Sequence, residues 1–477
     1  MNISDIARTE VKNIDFQSLK EAGIERTLEE FYILGNYPPL TAMKPVNDSE
    51  LLSGNSQKEF DIYVHFQFCN QLCNFCHFHM DQKARDSEDS RVVKYLKSLK
   101  KEISLWNERI GGITARSVYI GGGTPSFMNA KQIEDLFNHL YSEINIPKGT
   151  TITFDMHPEI IHGGLHKLDI LKDIGINRPS IGGVDLNDKV LKEQQRGHNS
   201  RDTIELIQQL KIRGFQHVVT DLIMGVPHQT PETWEKTLDL LIGDFCEIDC
   251  AMTFPLMFKA TQINWRQYQR NPAIFPSVKE RAVMQLIAMD KFAEAGYNHL
   301  PIYYFNRSDD HINDQQIRKF ETLEETGLLG IGVSSFGFIN GQQYFNSPNM
   351  DDYHVTIASK MLPVWRAAKL TPKNLFERAV MFGLKSRGVN KTDVKKKFGF
   401  DIDQEYGSII NKLKKVDLIE STSDYIQLTR TGMLFAEEIC NQFVNERIKQ
   451  RANYISNLVD SKDPTQRFNY NMVGHKL

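Results

Sequence analysis

Between residues 60 and 304, short apolar stretches alternate with longer segments whose apolar side chains recur every three to four positions. Residues 61–66 (DIYVHF) alternate with a period of two and are rich in β-branched and aromatic side chains, which predicts a strand. Helical periodicity follows over 90–110, 130–144, 165–174, 201–213, 231–241 and 277–295. Between these lie strand-like stretches at 117–120, 151–156, 178–181, 217–223, 249–254 and 298–304. Strands separated by helices of this length are joined by crossovers, so they are predicted to run parallel. Six or seven such units form an open or closed barrel, expected over residues 56–350 of an α/β protein.

The flanks differ in pattern. Residues 1–55 read as an arm, helical at first and then broken by Tyr37-Pro38-Pro39-Leu40 and Pro45. Such a segment packs across a domain or lids a site. After Leu362 the pattern becomes three helices, a hairpin over 418–428 and a last helix over 431–448. This predicts a small winged-helix-like α+β domain over 351–450, followed by a polar tail, 451–477. DNA binding is a common use of that order, but the Lys run 395–397 sits beside Asp393, Asp401 and Asp403 and reads as a solvated face, so no nucleic-acid partner is expected.

Composition narrows the class. With 57 Lys plus Arg against 60 Asp plus Glu, the chain is near neutral, which excludes a basic nucleic-acid coat or an acidic solvating tail. Hydrophobic residues at 40% supply a sizeable core. No stretch has the length and apolarity of a membrane span, and the N-terminus lacks a signal-peptide pattern, so a cytoplasmic location is expected. Of six cysteines, three fall within eight residues, which is not the layout of a disulfide framework. Cys246 and Cys250, around Asp249, read as buried core thiols.

The clustered three, Cys69-x3-Cys73-x2-Cys76, directly follow the first predicted strand. Three thiolates on one loop can hold three corners of an iron–sulfur cubane and leave the fourth iron open. A zinc site built on Cys73 and Cys76, with His77 or His79 as a further ligand, is the alternative; the C-x3-C spacing favours the cluster. One βα unit later comes Gly121-Gly122-Gly123-Thr124-Pro125, where backbone amides could approach a ligand closely.

Cys69-x3-Cys73-x-Phe75-Cys76 resembles the signature of the radical S-adenosylmethionine (SAM) superfamily, and the GGGTP turn resembles one branch of it. That branch contains oxygen-independent coproporphyrinogen III dehydrogenase, a related haem chaperone, anaerobic haem-opening enzymes and class C methyltransferases. The resemblance implies a partial (β/α)6-type radical SAM barrel, a 4Fe-4S cluster held by Cys69, Cys73 and Cys76, and SAM, two molecules of it in the methyltransferases. It implies that Phe75 lies by the adenine and that Gly122, Gly123 and Thr124 contact the methionine moiety. Tyr63-Val-His65 is similar to the family's YxHxPF stretch, with Gln67 in place of the proline. Asp155 stands where the family has a Glu that contacts SAM, with shorter reach. Arg196 matches an arginine that binds a SAM carboxylate, and Asp221, in DLIMGVP, matches an aspartate on a SAM ribose. From the residues alone, a buried Arg and Asp at strand ends equally make a structural ion pair. Residues 329–337 resemble the branch's glycine-rich last strand, and 370–432 its small C-terminal domain.

Departures from the family pattern guide the choice within the branch. Phe78 stands where the coproporphyrinogen enzyme has a further cysteine, and Val184, in SIGGVD (180–185), where it has a Gln; both speak against porphyrinogen decarboxylation. Asn36 through Leu40 and Met43-Lys44-Pro45 are similar to a segment of class C methyltransferase-like members. The leading expectation is therefore radical methylation of an sp2 ring carbon, specifically C8 of menaquinone. The alternative is haem handling, by a chaperone or a haem-opening enzyme. Tyr303 and Tyr304 are candidates for the proton acceptor or for substrate packing, with His65 and His157 as others. A low-potential donor such as flavodoxin or ferredoxin is the expected electron source, and the arm the expected site of transient membrane-surface contact.

Overall fold

Strand alternation sorts side chains onto two faces, and that sorting organises the protein. The computed structural model describes residues 2–26, 37–76, 81, 84, 86–243, 246, 248–258, 262–299, 302–307 and 327–450. Six strands lie side by side in chain order, all parallel: β1 (Glu59–Phe66), β2 (Thr114–Gly122), β3 (Thr151–Met156), β4 (Arg178–Val184), β5 (Val219–Met224) and β6 (Cys250–Pro255). The crossovers carry helices α1 (Ser90–Ile110), α2 (Ala130–Glu143), α3 (His166–Asp173), α4 (Ser200–Ile212) and α5 (Pro231–Ile242), and α6 (Val278–Glu294) follows β6. Four of these helices begin at a reciprocal capping box, formed by Asn129 for α2, Asn199 for α4, Thr230 for α5 and Ser277 for α6.

One face of the sheet is apolar. Ile62, Val64, Phe66, Val118, Ile120, Ile152, Phe154, Met156, Ile181, Leu222 and Met224 join the helices in the main core. The alternate positions turn the other way and form a connected polar and aromatic face. Tyr63 lies against Tyr119, Tyr119 donates to Asp155, Asp155 is opposite Ser180, and Ser180 donates to Asp221.

Two extensions flank the parallel strands. On the β1 side, β7 (Gly327–Ile331) adds in parallel, and β8 (Phe336–Ile339), β9 (Gln342–Asn346) and β10 (Val364–Lys369) continue antiparallel. On the β6 side, Tyr304–Asn306 pairs antiparallel with β6, and Asn298–His299 with it in turn. The single strand expected over 298–304 is thus two short strands of an antiparallel edge. The sheet ends at Lys44–Pro45 and at Asn298–His299, and it stays open among the described residues.

β10 falls where the sequence predicted helix. Its Arg366, Ala367, Ala368 and Lys369 are good helix formers, but pairing with β9 on one side and Lys44–Pro45 on the other overrides that preference. The main sheet therefore continues beyond residue 350. Beyond it, α7 (Pro372–Lys385), Lys391–Phe398 and Ile402–Lys415 surround a three-stranded sheet of Val389–Asn390, Tyr425–Leu428 and Ile419–Ser421. The last helix divides into Arg430–Leu434 and Ala436–Gln442. Phe435, at φ −121°, interrupts it, buried with its ring against Phe16.

The arm is built into the fold. Ile3–Lys12 packs on α6 and α5, Arg430 binds Glu10 at 2.8 Å, and Gln342 donates to the Leu51 carbonyl at 2.9 Å. Ala7, Val11, Leu19, Ile24, Tyr37, Met43 and Leu51 are buried. These apolar side chains are spent on packing, whereas Ile6 is exposed. Asn36 and the tail 451–477 lie outside the described residues. Among the described residues no helix is long and apolar enough to cross a membrane.

Candidate functional site

The cysteine loop leaves the end of β1 and is strapped to the end of β2. Gly123 N–H donates to the Phe66 carbonyl at 2.6 Å and Thr124 N–H to the Phe68 carbonyl at 2.9 Å. A Cβ on Gly123 would stand 2.6 Å from the Phe68 oxygen, so the position requires glycine. Gly122, at φ +108°, faces the His65 ring just as closely. Two amides of the GGGTP turn are thus committed to the strand leading to the cysteines.

Cys69 and Cys73 are buried and Cys76 is partly exposed. Thr124 Oγ1 is 3.1 Å from Cys69 Sγ. Burial pushes the Cys69 thiol up to about 11 against that hydrogen bond, and a bound metal would favour its thiolate. His77, Phe78 and His79 lie outside the described residues, and with them the further ligand of the zinc alternative.

The residues between the cysteines hold the loop in place, a role the sequence did not reveal. Gln71 accepts from Gly197 N–H at 2.8 Å and donates to Glu159 at 3.1 Å, and its amide nitrogen is 3.0 Å from His157 Nε2. Asn70 donates to the same Glu159 oxygen at 3.2 Å. Asn74 donates to the Glu193 carbonyl at 2.6 Å and accepts from Asn264 N–H at 3.0 Å. Gln71's partners are 86 to 126 residues away in sequence, too far for any local pattern to announce them.

Arg196 reaches the same loop. Nη1 lies 3.3 Å from Cys73 Sγ, Nη2 donates to the Gly182 carbonyl, and Nε is buried with no partner among the described residues. The guanidinium is thus committed to the cysteine loop and the end of β4 rather than to an ion pair with Asp221. Its charge and burial hold His157 well below the ordinary range and His198 down to about 3, burial being the larger cause in both. The two neutral rings meet edge to face at 4.9 Å.

The polar face of the sheet begins beside this loop. Tyr63 Oη is 2.9 Å from His65 Nδ1, and the Tyr63 ring stacks on Phe336 at 5.7 Å. Tyr119 Oη donates to Asp155 at 2.7 Å, and burial raises Asp155 to about 6 against that bond. Asp221 is in register with Met252, and Met252 with Tyr304. Tyr304 therefore lies on the same rung as Asp221, at the antiparallel edge, packed with Val219, Cys250 and Met252. Tyr303, partly buried, lies against Phe254, and burial pushes its hydroxyl up. Phe75 belongs to a separate apolar cluster with Val190, Val226, Leu256, Phe258 and Phe275. Val184, at φ +67°, is buried, a strained conformation for a β-branched residue. Cys246 and Cys250 are buried and form no disulfide with each other.

Three thiols on one loop, beside a turn of close-packed glycines and a guanidinium with an unpartnered buried nitrogen, suit a cluster and a carboxylate-bearing ligand. Comparison with known proteins agrees. Residues 63–241 match the Radical SAM superfamily model, and residues 370–435 the HemN C-terminal domain. The chain is 24% identical over 385 residues to the heme chaperone HemW of Bacillus subtilis, covering 80% of this chain and 99% of that protein. It is 26% identical over 411 residues to the oxygen-independent coproporphyrinogen III oxidase of Salmonella typhimurium, covering 83% and 87%. The solved coproporphyrinogen III oxidase (HemN) of Escherichia coli, described as a radical SAM enzyme, shares the fold at a TM-score of 0.75, with 23% identity over 85% of this chain and 96% of that one.

These relatives are named for haem and coproporphyrinogen, which overturns the expectation of menaquinone C8 methylation and the class C methyltransferase assignment behind it. The superfamily's cofactors are a 4Fe-4S cluster and SAM, and the donor set fits both. Residues 63–241 thus carry the match to the radical SAM superfamily, and over most of its length the chain is similar to oxygen-independent coproporphyrinogen III oxidase and to the heme chaperone HemW.

Proposed function

We propose that this protein is a radical SAM enzyme acting on a tetrapyrrole, haem or a close porphyrin relative, bound against the polar and aromatic face of the sheet. The observation that carries the reading is that face itself. Tyr63, His65, Tyr119, Asp155 and Asp221 run from the cysteine loop across the parallel strands in one connected array, in a chain whose relatives are named for haem and porphyrinogen.

In this reading Cys69, Cys73 and Cys76 hold the cluster, which supplies the electron that cleaves the SAM sulfonium. Arg196 directs its unpartnered Nε at the SAM carboxylate, Gly122, Gly123 and Thr124 shape the methionine end, and Phe75 walls the adenine. Asp155 and Asp221 accept hydrogen bonds from SAM hydroxyl or amino groups. Asp155, raised to about 6 by burial, is placed to exchange a proton near neutrality. Tyr303 and Tyr304 close the far edge. The branch's decarboxylation is not favoured, because Val184 occupies the position of that enzyme's Gln.

Anaerobic reconstitution with SAM, a low-potential reductant and haem tests this. The expected result is haem-dependent 5'-deoxyadenosine together with loss of the haem Soret band, and the ratio of S-adenosylhomocysteine to 5'-deoxyadenosine counts the SAM molecules used. Haem that binds and persists, without 5'-deoxyadenosine, would establish a carrier instead, a second reading favoured by the near-complete coverage of the haem chaperone. If neither haem nor coproporphyrinogen III binds, the tetrapyrrole reading fails.

A further inference from the structure

Helix α7 packs against the antiparallel extension of the sheet and brings Arg378 over two aromatic rings. Its guanidinium lies 4.6 Å from the Phe338 centroid and 5.0 Å from that of Phe382. Phe338 is two residues from Phe336 on β8, so both rings occupy one face, and Phe336 stacks on Tyr63. Arg378 therefore overlooks the same aromatic face that starts at the cysteine loop.

Among the described residues this cation has no counterion. Arg378 makes no hydrogen bond or ion pair with them, and its Nε is a buried donor with no partner. The adjacent Glu377 is turned away and accepts from Tyr37 and Asn374. Burial lowers the guanidinium to about 10, with no carboxylate among the described residues to oppose it. Enclosing a guanidinium without a counterion, as the described residues leave it, costs free energy that two aromatic rings offset only in part. Arginine's planar fork suits a carboxylate arriving on a ligand, engaged through two parallel hydrogen bonds.

We propose that Arg378 is the carboxylate-recognition residue for the ring substrate: it receives an acidic side arm of a tetrapyrrole whose ring lies along Tyr63, Phe336 and Phe338. This rests on the tetrapyrrole reading and names the group that would give it orientation. Each carboxylate-bearing ring thereby has a fixed edge toward α7 and the opposite edge toward the cysteine loop.

The test is a Soret titration of the anaerobic, cluster-containing protein with iron protoporphyrin IX and with its dimethyl ester. The parent protein should bind the diacid more tightly than the diester. Arg378→Gln should weaken the diacid roughly tenfold to a hundredfold while leaving the diester unchanged. Equal diacid binding by parent and variant would overturn the assignment and leave the tetrapyrrole reading standing; binding of neither porphyrin by the parent would overturn both. Arg378→Met, measured without ligand, separates a recognition role from a structural one. Its thermal midpoint should stay level or rise, because the described residues give the guanidinium no counterion to lose. A fall of several degrees would make Arg378 a structural cation and refute the proposal.

Discussion

Replacing Glu102 with glutamine should change how stability depends on pH. Glu102, on α1, is fully buried and accepts four hydrogen bonds: from Gly332 N–H at 2.8 Å, Tyr353 Oη at 2.6 Å, Asn346 Nδ2 at 2.8 Å and Trp106 Nε1 at 3.2 Å. Burial outweighs all four and raises its carboxyl from 4.5 to about 7. A carboxyl whose folded value lies above its unfolded one holds its proton more tightly in the fold. It contributes stability below pH 4.5 and loses that contribution as pH rises through about 7. The interval is worth at most about 3 kcal/mol.

The substituted amide of Glu102→Gln cannot titrate, but its N–H group faces a donor in a site with four of them, at a fixed cost of about 1–3 kcal/mol. The variant should therefore be less stable than the parent at pH 5, with the gap narrowing by up to about 3 kcal/mol toward pH 8. Urea denaturation followed by tryptophan fluorescence, on anaerobically held protein, measures this. Asp155 also rises, to about 6, but is common to both proteins and cancels in the difference. A gap that stays flat or widens between these pH values would refute the reasoning. The consequence reaches the site, because a Cβ on Gly332, whose amide Glu102 holds, would meet the His65 carbonyl at 2.6 Å.

Three further outcomes follow from the site. Gly123→Ala should displace the strap between β2 and the cysteine loop, since the added carbon would lie 2.6 Å from the Phe68 oxygen; iron content per chain after reconstitution should drop more than twofold, and full content would count against the strap. Arg196→Gln should leave iron content unchanged and weaken SAM binding roughly tenfold or more, measured by equilibrium dialysis; unchanged affinity would remove Arg196 from the SAM site. Glu159→Leu breaks the bonds from Gln71 and Asn70 and should speed loss of the cluster absorbance in air severalfold, whereas an unchanged rate would make the clamp dispensable.

The parts that were legible in the sequence share a physical property: their causes are local. α1 could be read because Asp89 caps it, Gly111 ends it at φ +75°, and Val92, Leu96, Leu99, Ile103 and Trp106 recur along one buried stripe between them. The parallel strands could be read because each alternates and each is followed by a helix. β10 could not, because Arg366, Ala367 and Ala368 become a strand only through β9 and Lys44–Pro45, which lie elsewhere in sequence. Gln71 and Glu159 escaped for the same reason. Within the cysteine motif Gln71 occupies an unspecified position, and only the fold shows that it ties the loop to Gly197.

The same distinction explains why the cofactors were legible and the reaction was misassigned. Cluster and SAM make demands that short motifs satisfy: three thiols on one loop, glycines where backbone must meet backbone at 2.6 Å, and an arginine beside Cys73. Those demands are common to the methyltransferases and the haem-handling members, so the motifs could not separate them. Choosing between them requires the surface that meets the substrate, and the aromatic face proposed for that role is assembled from β1, β2, β8 and α7, whose residues Tyr63, Tyr119, Phe336 and Arg378 span more than half the chain. No motif contains them together. Arg378 is instructive because its sequence context, NLFERAV, reads only as an amphipathic helix. Its neighbour Glu377 looks like a charge partner, and only the fold shows that Glu377 faces Tyr37, which leaves the guanidinium over the aromatic face with no carboxylate beside it among the described residues.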